Sequence, residues 1–304
     1  MQTSLVLSPL AARAARCSLT GRWVSWVSIG ILGLASCGMR SAREPRPKGS
    51  AAPAQAPLPA EDAGEEAEST KEAGGSPPGS PPEVRTLPGF SPSCPTEMVL
   101  VDGASCTEVK QTCTRWLDPP GPYHEYRCAE YAPSECLAPR VHKRFCIDRE
   151  EYVQPGEALP LAHQSWTSAV AICAGRGARL CLESEWQFAC EGEGAVPYPY
   201  GLSRDDTACN IDRMNLGKPQ SGLNDLRAPT DGYPRCLSPF FVHDMSGNVE
   251  EWATLDYGRA PDRSVMKGAW WLPGKNTCRA ATLGHGEVYE GPQVGVRCCK
   301  DAAP

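Results

Sequence analysis

The chain has 304 residues, a formal charge of −6, and 30 prolines, 29 glycines and 16 cysteines. That acidic balance argues against the clustered positive field nucleic acids require, so no nucleic-acid partner is expected. Large aromatic residues gather mostly beyond residue 115, which favours one core of about 200 residues over two domains.

Residues 1–36 read as a lipoprotein signal peptide. Arg13, Arg16 and Arg22 precede the apolar run 23–34, which is too short to span a bilayer and suits a signal-peptide core. Leu34-Ala35-Ser36-Cys37 follows and resembles a bacterial lipobox, which implies acylation of Cys37 and cleavage before it. Loss of the three arginines takes the charge to −9. Acyl chains hold a protein at a membrane by about 0.8 kcal/mol per buried methylene. Residues 37–92 hold the lipidated Cys and then Pro, Ala, Gly, Ser and Glu with almost no large apolar side chain. Such a segment cannot offset its ordering entropy and reads as a disordered stalk, reaching about 40 Å at random-coil dimensions. The expected setting is the bacterial cell envelope, facing the periplasm or the exterior. The expected partners are the membrane, through the lipid, and an envelope protein or peptide.

From 93 to 300 the pattern becomes globular. Residues 97–103 and 144–148 read as strands, and the Cys- and Pro-rich stretch 104–140 reads as irregular loops stapled by some of Cys106, Cys113, Cys128 and Cys136. Ser165 is an N-cap for a helix ending near Gly175 and Gly177, with Trp166, Ala169, Val170 and Cys173 on one face. A second helix runs from about Glu183 to Ala189, with Leu182, Trp186 and Ala189 inward. Glu183 and Glu185 read as acids favouring the positive end of its dipole. The fourteen cysteines from Cys94 to Cys299 form an even set behind an export signal, which indicates disulfides; no Cys-x-x-Cys pair points to zinc.

Several strings now fall in one order: EMVLVDG (97–103), RFCIDREEY (144–152), QSWTSAVAICAGRGARLCLESEW (164–186), PYPYG (197–201), CNID (209–212), HDMSGNVEEW (243–252), KGAWW (267–271) and VGVRCC (294–299). Together they resemble the formylglycine-generating enzyme, or sulfatase-modifying-factor, family, whose strings include GLYDMxGNVWEW, RGGSW and GFR. The resemblance covers residues 94–300. It implies an α+β, loop-rich, variant C-type-lectin-like fold, here disulfide-stapled, and structural calcium in the Asn- and Asp-rich loops. Matched residue by residue, Asp244, Gly247, Val249 and Glu251 would form one calcium site, and Asn210, Ile211 and Asp225 a second. Hard cations take several oxygen ligands and cross-link loops that lack regular structure. The same matching implies disulfides Cys190–Cys298 and Cys209–Cys278.

The family's oxidase, which turns a sulfatase cysteine into formylglycine, depends on two copper-binding cysteines soon after the GGSW string. Here that stretch reads KGAWWLPGKNTCRAATLGHG, with Cys278 alone. Soft thiolates are what Cu(I) prefers, so the missing pair argues against copper. The histidines lack the helical spacing of an iron site, and Ser246 lacks the Gly-x-Ser-x-Gly frame of a nucleophile elbow. Two functions stand: a protein- or peptide-binding or maturation module presenting a groove near Trp270, Trp271 and Trp252, and a formylglycine-generating or related oxidase. Trp252 also suits a packed core.

Overall fold

The computed structural model describes residues 91–218 and 222–304; the signal peptide, Cys37 and nearly all of the stalk lie outside the described residues. In chain order, β1 (Met98–Cys106) is followed by four short strands, β2 (Val109–Lys110), β3 (Cys113–Trp116), β4 (Cys128–Tyr131) and β5 (Glu135–Cys136). Then come β6 (Arg140–Asp148), α1 (Trp166–Gly175), β7 (Arg179–Leu180) and α2 (Glu183–Glu191). The last third holds β8 (Gly217–Lys218), β9 (Gly222–Leu223), β10 (Glu250–Arg259), β11 (Asp262–Lys267), β12 (Ala281–Thr282), β13 (Val294–Gly295) and β14 (Cys298–Asp301).

Two four-stranded sheets organise these pieces, in the orders β1-β6-β14-β7 and β12-β11-β10-β13. The first is antiparallel throughout, with Val99 opposite Ile147 and Val101 opposite Phe145. Side chains alternate across a strand, so its two faces serve two clusters. Val99, Val101, Phe145 and Ile147 meet Trp186, Phe188 and Ala189 of α2, while Met98 and Cys146 meet Trp166, Ala169 and Cys173 of α1. A sheet covered on both faces by short helices gives the α+β, loop-rich architecture expected.

The caps explain where the helices start. Ser165 accepts from the Ser168 backbone N–H at 3.1 Å, as expected of the N-cap. At α2, Leu182 offers no oxygen. The Glu185 carboxylate accepts from the Leu182 N–H at 2.9 Å, and Asp256 of β10 accepts from the Ser184 N–H at 3.0 Å. Glu185 thus does what its place in the first turn suggested.

Seven disulfides join all fourteen cysteines of the described residues. Both pairings drawn from the resemblance are corrected. Cys298 bonds Cys173, Cys190 bonds Cys278, and Cys209 bonds Cys236. The reason is strand alternation. Cys298 and Cys299 are neighbours on β14 and face opposite ways, so Cys298 lies with α1, whereas Cys190 and Cys278 lie in the α2 cluster with Cys299. Cys299 bonds Cys181 on that side.

Stretch 104–140 is also more regular than expected. β2 pairs with β5 and β3 with β4, both antiparallel, beside the bridges Cys106–Cys136 and Cys113–Cys128. Ladders of two to four residues are too short to show alternation in sequence.

Candidate functional site

Two neighbouring regions carry the residues singled out. The first is a buried ionic hub around Arg297. Its guanidinium is fully buried, holds Glu251 through Nε at 2.8 Å and Nη2 at 2.7 Å, and donates to the carbonyls of Asp148, Arg149 and His243. Trp186 Nε1 donates to Glu251 Oε2 at 2.6 Å. Glu151, also buried, accepts from the Val249 N–H at 3.1 Å and from Asn248 Nδ2 at 2.5 Å. Burial, reinforced by Asp244 and Glu251, holds its carboxyl well above the usual range.

The structure brings Asp244, Gly247, Val249 and Glu251 into this one loop. Asp244 is 2% exposed, its Oδ2 has no hydrogen-bond partner, and burial pushes its carboxyl up to about 8 against the pull of Arg297. An orphaned buried carboxylate oxygen fits a hard cation. Glu251 fits less well, because Arg297 and Trp186 already occupy both its oxygens. Glu150, not singled out from sequence, adds a second buried oxygen without a partner, and burial raises its carboxyl too.

Asn210 and Ile211 pack against the same loop. The Asn248 N–H donates to the Asn210 carbonyl at 3.0 Å, and a Cβ on Gly247 would stand 2.3 Å from that oxygen. Gly247 has φ +86°, so glycine is required twice over. The side chain of Asn210 is spent on Arg213, Asn248 and the Leu226 carbonyl. Asp225 wraps its carboxylate around Arg227, bonding Nε at 2.9 Å and Nη2 at 2.7 Å. The two side chains of the second implied calcium site are therefore engaged by Arg213 and Arg227, which makes them poor cation donors as placed.

The second region is an open cleft of about 970 Å³. One wall is the cysteine-rich arm, with Trp116, Tyr126 and Tyr131; the other is the segment from Ala269 to Lys275. Asn276, fully buried, fixes that second wall: its Nδ2 donates to the Trp270 carbonyl at 2.8 Å, and its own carbonyl accepts from Ser246 Oγ at 2.7 Å. Lys275 Nζ sits 5.4 Å over the Tyr126 ring, tying the walls together. Glu250, Met266 and Thr282 line the floor. Arg279, also in the lining, is clamped on buried Glu191 at 2.6 and 2.7 Å.

Of the three tryptophans expected at a groove, Trp270 alone lines it. Trp271 is 1% exposed and Trp252 fully buried, the latter donating to the Gln164 carbonyl at 2.7 Å. Neighbouring residues of this turn face opposite ways, which sends Trp271 into the core. Every cysteine of the described residues is in a disulfide, and Trp271, Leu272, Pro273 and Gly274 supply no thiolate, so the residues present do not fit a thiolate copper centre.

The chain is 29% identical over 201 residues to the inactive C-alpha-formylglycine-generating enzyme 2 of Mus musculus, covering 59% of this chain and 64% of that protein. It is 29% identical over 171 residues to the formylglycine-generating enzyme of Bos taurus, covering 48% and 45%. The chain thus spans less than two thirds of either relative. Among solved structures it is similar to PvdO from Pseudomonas aeruginosa, with a TM-score of 0.46 at 15% identity, over 71% of this chain and 99% of that one. The family model described as the sulfatase-modifying factor enzyme 1-like domain matches residues 107–302, more than half of the sequence, and the chain belongs to that family.

Proposed function

We propose that this domain is a binding or maturation module that takes an extended peptide or protein segment in the cleft between the cysteine-rich arm and segment 269–275. The observation that carries the reading is the cleft itself. It is large and open, flanked by Trp116, Tyr126, Tyr131 and Trp270, and its only cysteine is Cys113, held in a disulfide. Aromatic walls contribute large contact area at small entropic cost, which suits recognition. Similarity to a relative named inactive supports the same reading. The test is an assay of a Cys-x-Pro-x-Arg peptide with copper and oxygen, run beside binding of that peptide. Binding without aldehyde is expected, and aldehyde formation would overturn the proposal in favour of an oxidase.

Calcium is proposed at one site only, anchored by Asp244 with the Gly247 and Val249 carbonyls. Its part there is structural, cross-linking the loop 243–252 to the hub. The module is further proposed to hang from a membrane by acylated Cys37 in the bacterial envelope. Metabolic labelling with a fatty acid tests this, with label expected in the wild-type chain and lost in Cys37→Ala.

A further inference from the structure

We propose that the Cys106–Cys136 disulfide exchanges with small thiols in the folded protein, which makes Cys136 a thiolation site at the base of the cysteine-rich arm. The bridge lies outside the cleft lining and stands independently of what the cleft binds.

Burial divides the fourteen bridged cysteines of the described residues. Eleven are buried, Cys94 and Cys113 are half-buried, and Cys136 alone is exposed. Four bridges, Cys173–Cys298, Cys181–Cys299, Cys190–Cys278 and Cys209–Cys236, are buried at both ends. Exchange begins when a thiolate meets one sulfur of the bridge, so access ranks the bridges first. Cys106–Cys136 is the one a thiol reaches soonest. Attack falls on Cys136, because Cys106 is 1% exposed at the end of β1, where Arg279 donates to its carbonyl at 2.7 Å.

The surroundings let this bridge open without unfolding the domain. It closes the root of the arm, where the chain leaves β1 at Cys106 and enters β6 opposite it at Arg140. Beside the disulfide, that root is held by the two-residue ladder of β2 with β5 and by the Leu137 N–H, which donates to the Glu108 carbonyl at 2.8 Å. The Lys110–Glu135 pair there is more than half exposed on both sides and adds little. The outer arm has ties of its own. Cys113–Cys128 crosses it, Tyr198 Oη donates to the Cys128 carbonyl at 2.6 Å, and Gln111 and Ser134 both donate to the Ala195 carbonyl. Opening therefore loosens residues 107–139 at their root while β1, β6 and the core keep their contacts. In the step itself the thiolate bonds to Cys136 Sγ, the bond to Cys106 breaks, and its electron pair leaves on Cys106 Sγ, which takes a proton. The product is a mixed disulfide at Cys136 beside a free thiol at Cys106. Return attack by Cys106 restores the bridge. A second external thiolate attacking the added sulfur instead carries off the oxidised thiol dimer and leaves the bridge reduced.

The test incubates the full-length oxidised chain with reduced glutathione at neutral pH without denaturant. Samples are quenched in acid, alkylated and mapped by peptide mass spectrometry. A glutathione adduct on Cys136 with an alkylated Cys106 is expected first, about tenfold faster than opening of Cys113–Cys128, with the four doubly buried bridges intact. Hydrogen exchange of the treated chain should quicken in 107–139 and stay unchanged in β10 and β14. The double variant Cys106→Ser/Cys136→Ser should lack the fast adduct, while its six other bridges open at wild-type rates. First opening at another bridge, an adduct on Cys106, or all seven bridges opening together overturns the assignment. Unchanged hydrogen exchange in 107–139 overturns the loosening of the arm.

Discussion

Loop 243–252 and segment 267–283 stand side by side, and both match the family strings, yet they are built on different physics. In the first, residues Asp244 to Trp252 are all buried, and apart from Asp244 Oδ2 their polar groups are largely tied to Arg297, Glu151 and Asn210. In the second, the cleft wall is half-exposed from Leu272 to Gly274 and Lys275 is exposed, while Asn276, the Cys190–Cys278 bridge and the Arg279–Glu191 pair hold the segment from beneath. One loop is a frame in which most substitutions of a polar residue leave a buried group unpaired. The other is a surface on which Trp270 or Leu272 can be exchanged without disturbing the core. The chain keeps the family's frame and departs from its strings where the cleft lies.

The sharpest way to break that contrast is Arg297→Met. It leaves Glu251 with Trp186 alone and takes one donor from the carbonyls of Asp148, Arg149 and His243, and removing one partner of a buried pair costs about 3–5 kcal/mol. A large drop in urea midpoint, or failure to accumulate folded chain, is expected. The double variant Arg297→Met/Glu251→Leu should recover part of the loss, since the stranded charge goes with its partner. Full stability in the single variant would show that the hub is not the frame.

Disulfides offer a graded comparison of the same two regions. Cys173–Cys298 ties α1 to β14 across 125 residues, whereas Cys113–Cys128 spans 15 residues in the cleft wall. Loop-closure entropy alone puts the first near 5 kcal/mol and the second near about 3. Paired Cys→Ala variants, compared by thermal melting, should rank in that order, with the peptide affinity lost chiefly in the second. Reversal of the melting order would show that the cleft arm depends on its bridge more than the core does.

Calcium gives the next effect. With Asp244 Oδ2 unpartnered, metal at about a hundredfold over its Kd would add about 2.7 kcal/mol, or roughly 5–10 °C of melting temperature for a domain this size. Chelator should remove that increment from the wild type and not from Asp244→Asn, while Asp225→Asn, whose partner is Arg227, should respond as the wild type does. An identical melt in chelator and calcium would remove the cation from the account.

Much of the frame was legible in the sequence. Ser165 with the spacing of Trp166, Ala169 and Cys173 gave the first helix, and the family strings gave the order of the loops. The cysteine partners were not legible, because Cys298 and Cys299 resolve only once β14 is placed between two faces. Nor could a string tell that Asp225 would turn to Arg227, two residues on, rather than to Asn210. On the cleft, Trp270 could be named in advance and Glu250 could not. A single acid beside Glu251 looks like more of the same charge until one proves to face Arg297 and the other Thr282. Alternation along β10 separates them, and the sequence carries no mark of which side opens to solvent.

Lys267 probes the seam between frame and cleft, with the smallest expected effect. It is the neighbour of Gly268 at the end of β11, its Nζ is fully buried, and among the described residues its one ion pair is with Glu183 at 3.2 Å. The ammonium also lies 5.8 Å over the Trp186 ring. Burial outweighs Glu183 and holds its pKa below the ordinary 10.5. The unfolded chain therefore binds more protons than the folded one between the depressed value and 10.5, so this group makes stability rise with pH across that window and leaves it flat below. Lys267→Met keeps the volume and removes the charge, while Glu183, partly exposed, can turn to water. The variant should lie within about 1 kcal/mol of the wild type at neutral pH, since exchanging a buried ion for an apolar side chain is often neutral. The difference between the two denaturation curves should then shift in favour of the wild type as pH climbs toward 10.5. A variant several kcal/mol weaker at neutral pH would mean that the lysine belongs to the frame as firmly as Arg297 does.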